Sequence, residues 1–503
     1  MFKRVNRHRN ITIPIALREW LVCIFATLTL VFTAWSLGGY KTWALHLLFI
    51  GGLVTFLASV LPMPRSWNGY DQQHGNLKNF KRLLLQPFFW AGLFFLVYIL
   101  IQYFNPSIVQ VFGENSWWVE RMNPPLAGSL PSSVKADYET MNALRTLVIQ
   151  ASSISLACGI LLGIQRRKTA LIILWSFVTS AVMMGFVAIL QKLSCPDKIL
   201  WIVDVVNKHP WGTFAYRNQA AAYLILATII SCLLYFYHIR TPKNLNTSPT
   251  RDGPHLLCLL YIFILFSSIW LALSRGGIVI ASFLVLAFLI LALFKTIFDY
   301  RFYRDWFPVC LLVSIFFGSS LFVVQLSDWD AINKRIKHFK QIETNIETYD
   351  RTLSSAATWD MAQDRLVFGW GAGSFRYIFP IYQKNYETIW YHWKSKKRGW
   401  QGRRIYNYAH NDWLQFLSEY GALGCLFLVG MFLCLVVPAV NLFIFAKSAG
   451  SLMLIGVFLI FIHNFVDFIF SSPAYWVAFF GSLFLILKLF QLDNKAFKDL
   501  GNL

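Results

Sequence analysis

Tyr408-Ala409-His410-Asn411-Asp412-Trp413-Leu414-Gln415-Phe416-Leu417-Ser418-Glu419-Tyr420-Gly421-Ala422-Leu423-Gly424 leads a polar, aromatic segment into an apolar run that continues to Phe445. That run, 422–445, is long enough to cross a bilayer and carries no charge. His410 therefore stands where a water-exposed loop meets a membrane helix. A titratable group there is either an interfacial anchor or a functional-site candidate. The segment after His410 is amphipathic. Trp413, Phe416, Leu417 and Tyr420 share one helical face, and Asp412, Gln415 and Glu419 share the other. This predicts a short helix along the membrane surface ahead of the span. Glu419 then lies on the wet side of that helix or serves as a carboxylate in the site.

The rest of the chain repeats the apolar pattern. Of its 503 residues 57% are hydrophobic and 14% charged, a balance too apolar for a soluble protein of this length. The apolar residues come in blocks of roughly 17 to 25, the length of a membrane helix. Twelve spans are expected, near 21–38, 43–61, 83–104, 147–163, 171–189, 220–237, 256–273, 278–294, 309–325, 422–445, 451–467 and 473–489. The fold class is an all-α integral membrane protein. Its parts are helices 1–9 with short loops (1–325), a large loop between helices 9 and 10 (326–413), and helices 10–12 with a tail (414–503). The basic start followed by a full-length span reads as a retained first helix rather than a cleaved signal.

A formal charge of +21 would suggest a nucleic-acid partner in a soluble chain. Here the basic residues alternate with the spans. Arg4, Arg7, Arg18, Lys81, Arg82, Arg166, Arg167, Lys168, Arg240, Lys243, Lys295, Arg301, Lys447 and Lys488 fall on one side, and the short loops of the other are nearly free of them. Such loops face the cytoplasm, which places both termini there. Seven of the eight cysteines fall in predicted spans, where Cys acts as a small apolar residue. Only Cys195 faces the outer side, so no disulfide is expected.

Three outer segments are long. The first, 105–146, contains Trp117-Trp118, aromatics that suit the headgroup level. The second, 190–219, ends in Thr213-Phe214-Ala215-Tyr216-Arg217-Asn218-Gln219. The third, 326–413, holds fourteen Lys and Arg against nine Asp and Glu, with a helix-like pattern over 332–358. Its Gly369-Trp370-Gly371-Ala372-Gly373 permits tight turns and reads as packing against the membrane bundle. A dinucleotide loop is the poorer reading, because no strand-plus-helix unit surrounds it.

Arg217 immediately precedes the sixth span, and Arg275 sits in Ser274-Arg275-Gly276-Gly277 between two apolar runs. An arginine at that depth either meets an anion or snorkels to water from an ordinary hairpin. Arg217, Arg275 and His410 fall on the same outer side, which favours the anion. Two guanidiniums offer bidentate forks for phosphate oxygens. The helix start after Asn411 adds backbone N–H groups. An imidazole beside two cations stays neutral and suits a general base. The chemistry implied is displacement at a carbon bearing a phosphate leaving group. No metal or cofactor is expected. Asp328-Trp329-Asp330 alone has Asp-x-Asp spacing, and it reads as a helix-end charge pair.

His410-Asn411, nine residues, then Gly421-x-x-Gly424 resembles the motif of bacterial O-antigen ligases and related polysaccharide polymerases. Gly212-Thr213-Phe214 with Arg217-Asn218, Ser274-Arg275-Gly276-Gly277, Arg351, Trp359, the glycine turn with Phe375, and His463, Val466, Asp467 and Pro473 resemble further family segments in order, over roughly 210–475. Gln219 departs from the aromatic or His that often follows the Arg-Asn pair. The resemblance implies a GT-C-like, inner-membrane, metal-independent inverting glycosyltransferase. It would move a glycan from undecaprenyl pyrophosphate to an acceptor hydroxyl on the periplasmic side, the acceptor being lipid A–core, another lipid-linked repeat or a protein. Carried over by position, Arg217 and Arg275 bind the pyrophosphate with Asn218 and Asn411 beside them, and His410 orients or deprotonates the acceptor. Tyr216, Arg351, Glu419 and Asp467 are further site candidates. A flippase for an anionic lipid-linked substrate is the alternative of another class, although related halves and broken helices are not detected.

Overall fold

The computed structural model describes residues 15–64, 75–114, 116–195, 198–204, 210–240, 253–298, 314, 317–318, 350–395 and 399–501. In chain order these form α1 (Leu17–Thr33), α2 (Thr42–Val60), α3 (Gly75–Leu84), α4 (Pro87–Phe104), β1 (Pro106–Phe112), β2 (Trp117–Arg121) and β3 (Ser133–Lys135). Then come α5 (Ala143–Gly163), α6 (Arg167–Ser194), β4 (Lys198–Ile199), β5 (Val203–Asp204), α7 (Arg217–Arg240), α8 (Pro254–Leu271) and α9 (Arg275–Phe298). The remainder is α10 (Asp350–Gln363), α11 (Phe375–Gln383), α12 (Glu387–Trp390), β6 (Tyr391–Ser395), β7 (Gly399–Arg403), α13 (Asp412–Phe445), α14 (Lys447–His463) and α15 (Pro473–Gly501). The protein is mostly helical, and nine of the described helices are long and apolar enough to cross a membrane. α1 and α14, at 17 residues each, coincide with two further expected spans. The ninth expected span, 309–325, lies outside the described residues apart from Ser314, Phe317 and Gly318, as do Asp328-Trp329-Asp330 and most of 332–358.

α7 is the axis of the bundle. Its residues 218–237 are all buried, and it packs against α6, α8, α9, α14 and α15. A helix apolar on every face has no side to offer water, so it belongs inside a ring of others. The flanking spans present leucine and phenylalanine outward instead, among them Leu28, Phe94, Phe283, Leu426 and Phe458. Those rings and chains form the lipid-facing surface of a membrane bundle.

At the end opposite His410, polar groups close the bundle. The Arg18 guanidinium donates to the Leu61 carbonyl at 2.7 Å, and Arg167 pairs with Asp493 at 2.8 Å. Lys488, on α15, donates to the Leu161 carbonyl. At the His410 end the links are longer and build a second layer. β2-β1-β3 form a three-stranded sheet, with β1 antiparallel to β2 and parallel to β3. This corrects the headgroup reading for Trp117. Strand alternation turns Trp117 inward, where its ring meets Tyr377 at 5.9 Å, while Trp118 faces out. Ile108 and Val134 of this sheet join Ala357, Met361, Phe375, Ile378, Phe379, Ile389 and Ala409 in one small core. Two outer segments far apart in sequence therefore share a hydrophobic centre.

That layer is fastened to the bundle by glycines. α13 breaks at Gly421, whose backbone is left-handed (φ 62°), so Asp412–Tyr420 and the following span are separate helical pieces. The Ala422 N–H donates to Leu366 at 2.7 Å, and Trp370 and Gly371 donate to Ser418 and Glu419, each at 2.8 Å. A Cβ on Gly369 would lie 2.4 Å from the Glu419 carbonyl oxygen, and one on Gly421 would lie 2.4 Å from that of Val367. Each glycine thus makes room for the other's backbone. The packing role expected for the glycine turn is what the structure shows.

The wet-side expectation for Glu419 is overturned. Glu419, Asp412 and Gln415 are all buried. The Glu419 carboxylate accepts from the N–H groups of Gly373 (3.0 Å) and Phe375 (3.2 Å) and from the Gln415 amide (3.2 Å). The outer layer covers the helical face that would otherwise meet water, so its polar side chains are used as internal ties.

Candidate functional site

The link between α14 and α15, residues 464–472, is the spine of the site. The first turn of α13 holds it at two points. The Asp412 N–H donates to the Asn464 carbonyl at 2.8 Å, and the Asp412 carboxylate accepts from Phe470 N–H at 2.9 Å. Asp467 then gathers three elements. Its carboxylate accepts from Phe468 N–H at 2.9 Å and from the Asn218 amide of α7, and lies 3.6 Å from the Arg351 guanidinium of α10. Arg351 also donates to the Val466 carbonyl. Asn218 donates in addition to the Tyr216 hydroxyl at 2.8 Å. Gln219 donates to the Phe468 carbonyl (3.2 Å) and the Ser471 hydroxyl (2.6 Å).

Phe468 is where the candidates meet. Tyr216 stacks on it at 4.7 Å and 15°, Tyr408 at 4.9 Å and 18°, and the His410 ring stands edge-on at 4.6 Å and 73°. Residues from before α7, before α13 and after α14 thus share one aromatic cluster. Sequence reasoning named Asp467 but missed Phe468 beside it. A single phenylalanine among 46 carries no signal until its partners are known.

His410 adopts a left-handed backbone (φ 56°), and Asn411 becomes the N-cap of α13, its side chain accepting from Leu414 N–H at 3.2 Å. Its Oδ1 is therefore engaged by its own helix. The Ala409 N–H donates to Gln415, which fixes the loop from the other side. The buried Nδ1 of His410 has no hydrogen-bond partner among the described residues. Burial pushes the imidazole down to about 4, with Arg351 reinforcing and Asp467 opposing the shift. At neutral pH the ring is uncharged and carries a lone pair.

Arg275 opens α9 after Leu273 (φ 54°) and Ser274, whose hydroxyl accepts from Gly277 N–H at 3.2 Å. A Cβ on Gly276 would lie 3.0 Å from the His463 imidazole, and one on Gly277 would lie 2.6 Å from the Ala221 methyl group. The two glycines let the start of α9 press against α14 and α7, which keeps Arg275 at the His410 end. Arg217 opens α7. Arg217, Arg275, Arg351 and Asp467 all act electrostatically on Tyr216, whose hydroxyl burial holds well above the usual phenol range.

The cluster opens into a cavity of about 900 Å³ lined by Tyr40, Tyr216, Arg376, Arg403, Tyr408 and His410, with Phe468 in its wall. His410 and Tyr216 reach it directly. Arg217 and Arg275 do not line it and stand beside it through Tyr216. Glu419 is not part of the wall, since its oxygens serve the glycine turn. In the sequence Arg376 counts only as a member of the basic insert, while Arg403 falls in its basic, aromatic stretch 393–404, which reads as a contact for lipid headgroups or a sugar chain or as a solvated loop. Their place at the cavity follows from the fold of the outer layer.

Residues 260–429 match the family model described as O-antigen ligase. The match takes in Ser274–Gly277, Arg351, the glycine turn and His410 to Gly424, and leaves Arg217 and Asp467 outside it. No curated protein matches the chain.

Proposed function

We propose that this chain, of the O-antigen ligase-related family, is a membrane glycosyltransferase that moves a glycan from an undecaprenyl-pyrophosphate carrier to an acceptor hydroxyl. The observation that carries this reading is the meeting of His410, Tyr216 and Asp467 around Phe468, with Arg217 and Arg275 opening the helices alongside. We place the site on the periplasmic face of the inner membrane, with both termini in the cytoplasm.

In the reaction the acceptor oxygen attacks the anomeric carbon, the bond to the pyrophosphate oxygen breaks, and the configuration inverts. The acceptor proton passes to His410. Arg217 and Arg275 take up the negative charge gained by the departing lipid pyrophosphate. A ring with a pKa near 4 is a weak base but a good hydrogen-bond acceptor, so in the free enzyme His410 orients a hydroxyl. Bringing an anionic diphosphate beside it raises its proton affinity. Base strength is thereby gained when the donor is in place. Asp467, Asn218 and Arg351 act as positioning residues, since they hold Tyr216 and Phe468 against the imidazole.

The test is product formation by purified protein in detergent, given lipid-linked donor and an acceptor without nucleotide or ion gradient. Transferred glycan supports the enzyme. Intact donor, together with carrier translocation in vesicles, supports the flippase instead. Profiling surface glycans after gene deletion then separates acceptors. Free carrier-linked polymer marks a ligase, single retained repeats mark a polymerase, and unglycosylated protein marks protein transfer.

A further inference from the structure

The cavity holds more positive charge than a diphosphate site needs. Arg376, Arg403 and Arg404 line it, and none of its described lining residues is Asp or Glu. Arg404 is committed to Asp350 at 2.5 Å. The other two arginines have no carboxylate within ion-pair distance among the described residues. Arg376 donates to the Thr140 carbonyl at 3.0 Å and its guanidinium lies 5.9 Å from the Tyr408 ring. Arg403 stacks on Trp390 at 4.9 Å and on Trp117 at 5.8 Å. Stacking of this kind orients a planar fork while leaving its N–H edge open to an anion. These groups belong to the outer layer, whereas Arg217 and Arg275 open bundle helices. The cavity, about 900 Å³, is near the upper end of the about 300–1,000 Å³ typical of small-molecule sites, and a diphosphate alone would leave most of it empty. Tyrosine rings and hydroxyls in its wall suit the faces and edges of sugars.

Resting on the glycosyltransferase reading, we propose that the acceptor is an anionic glycan whose phosphate or carboxylate groups are held by Arg376 and Arg403 while its hydroxyl meets His410. The two anions share one chemistry, a planar or tetrahedral oxyanion on a sugar ring.

The experiment measures binding to the full chain in nanodiscs by calorimetry. The probes are maltotetraose, terminally phosphorylated maltotetraose, tetragalacturonate and inorganic pyrophosphate. Wild type should bind at least one acidic saccharide about tenfold or more tightly than maltotetraose, and whichever does so identifies phosphate or carboxylate. Arg376→Gln with Arg403→Gln should erase that preference and leave pyrophosphate binding intact. The double lysine variant should keep part of it. Arg403→Gln alone, at an exposed side chain, should weaken it if the double variant does not fold. Arg275→Ala should do the reverse, losing pyrophosphate but keeping the acidic saccharide. No preference in wild type, or a preference that survives the glutamine pair, overturns the proposal. So does loss of both ligands in every variant, which would make the cavity part of the donor site. Absent pyrophosphate binding and absent transfer, with the acidic preference intact, would count against the transferase reading instead.

Discussion

His410 combines a left-handed backbone with a buried, uncharged ring, and the two properties can be tested apart. Asn tolerates positive φ far better than a β-branched residue does. His410→Asn should therefore fold like wild type and lose transfer, while His410→Val should lose about 1–3 kcal/mol of stability as well. Thermal unfolding in detergent separates the pair, and equal midpoints would show that the backbone is not constrained. Because burial holds the imidazole near 4, kcat/KM should be flat from about pH 5 to 8 and fall only toward pH 4. A break near 6.5 would mean a solvated ring. The stability sign agrees. Between the folded value and the ordinary one near 6.5 the unfolded chain binds the extra proton, so this group makes the fold less stable as pH drops through that window. The place of His410 at a loop–helix boundary was legible in the sequence, because the histidine abuts a span. Its neutral state was also anticipated, but for a different reason. Nearby cations were expected to suppress the proton, whereas desolvation is the larger cause.

At the scale of elements, the nine-residue spacing between His410-Asn411 and Gly421 has a physical meaning. Asn411 starts the first piece of α13, and Gly421 ends it against the Gly369 turn. Gly421→Ala or Gly369→Ala would push a methyl group to 2.4 Å from a carbonyl oxygen, so one backbone must shift. Either change should lower the unfolding midpoint by the equivalent of about 1–3 kcal/mol and release the outer layer to protease. Wild-type proteolysis and midpoint for both would refute the lock. The break was readable from Gly-x-x-Gly at the head of an apolar run. The burial of Glu419 was not, because helical periodicity identifies two faces but cannot tell water from a covering domain. The covering sheet was hidden for a related reason. Trp117-Trp118 alternate over too few residues to distinguish a strand from a membrane-surface anchor, and their partner Tyr377 is remote in sequence.

For the whole molecule, apolar blocks and alternating basic loops were enough to find the described spans, since a bilayer imposes length and sidedness on any helix that crosses it. What they could not supply was the meeting of three loops on Phe468, which depends on how helices pack around α7. The sidedness yields its own expectation. In a Cys195→Ser background, Ile405→Cys should react with a membrane-impermeant maleimide in spheroplasts, and Leu85→Cys should react only after permeabilisation; both positions are more than three-quarters exposed. The opposite pattern would put the site in the cytoplasm. The most direct measurement is single-turnover transfer from a labelled lipid-linked donor, read together with donor binding, for wild type, Arg275→Ala and His410→Ala in detergent. Arg275→Ala should lose binding and transfer alike, while His410→Ala should bind donor and leave it unreacted. Wild-type transfer by both variants would contradict the proposed mechanism.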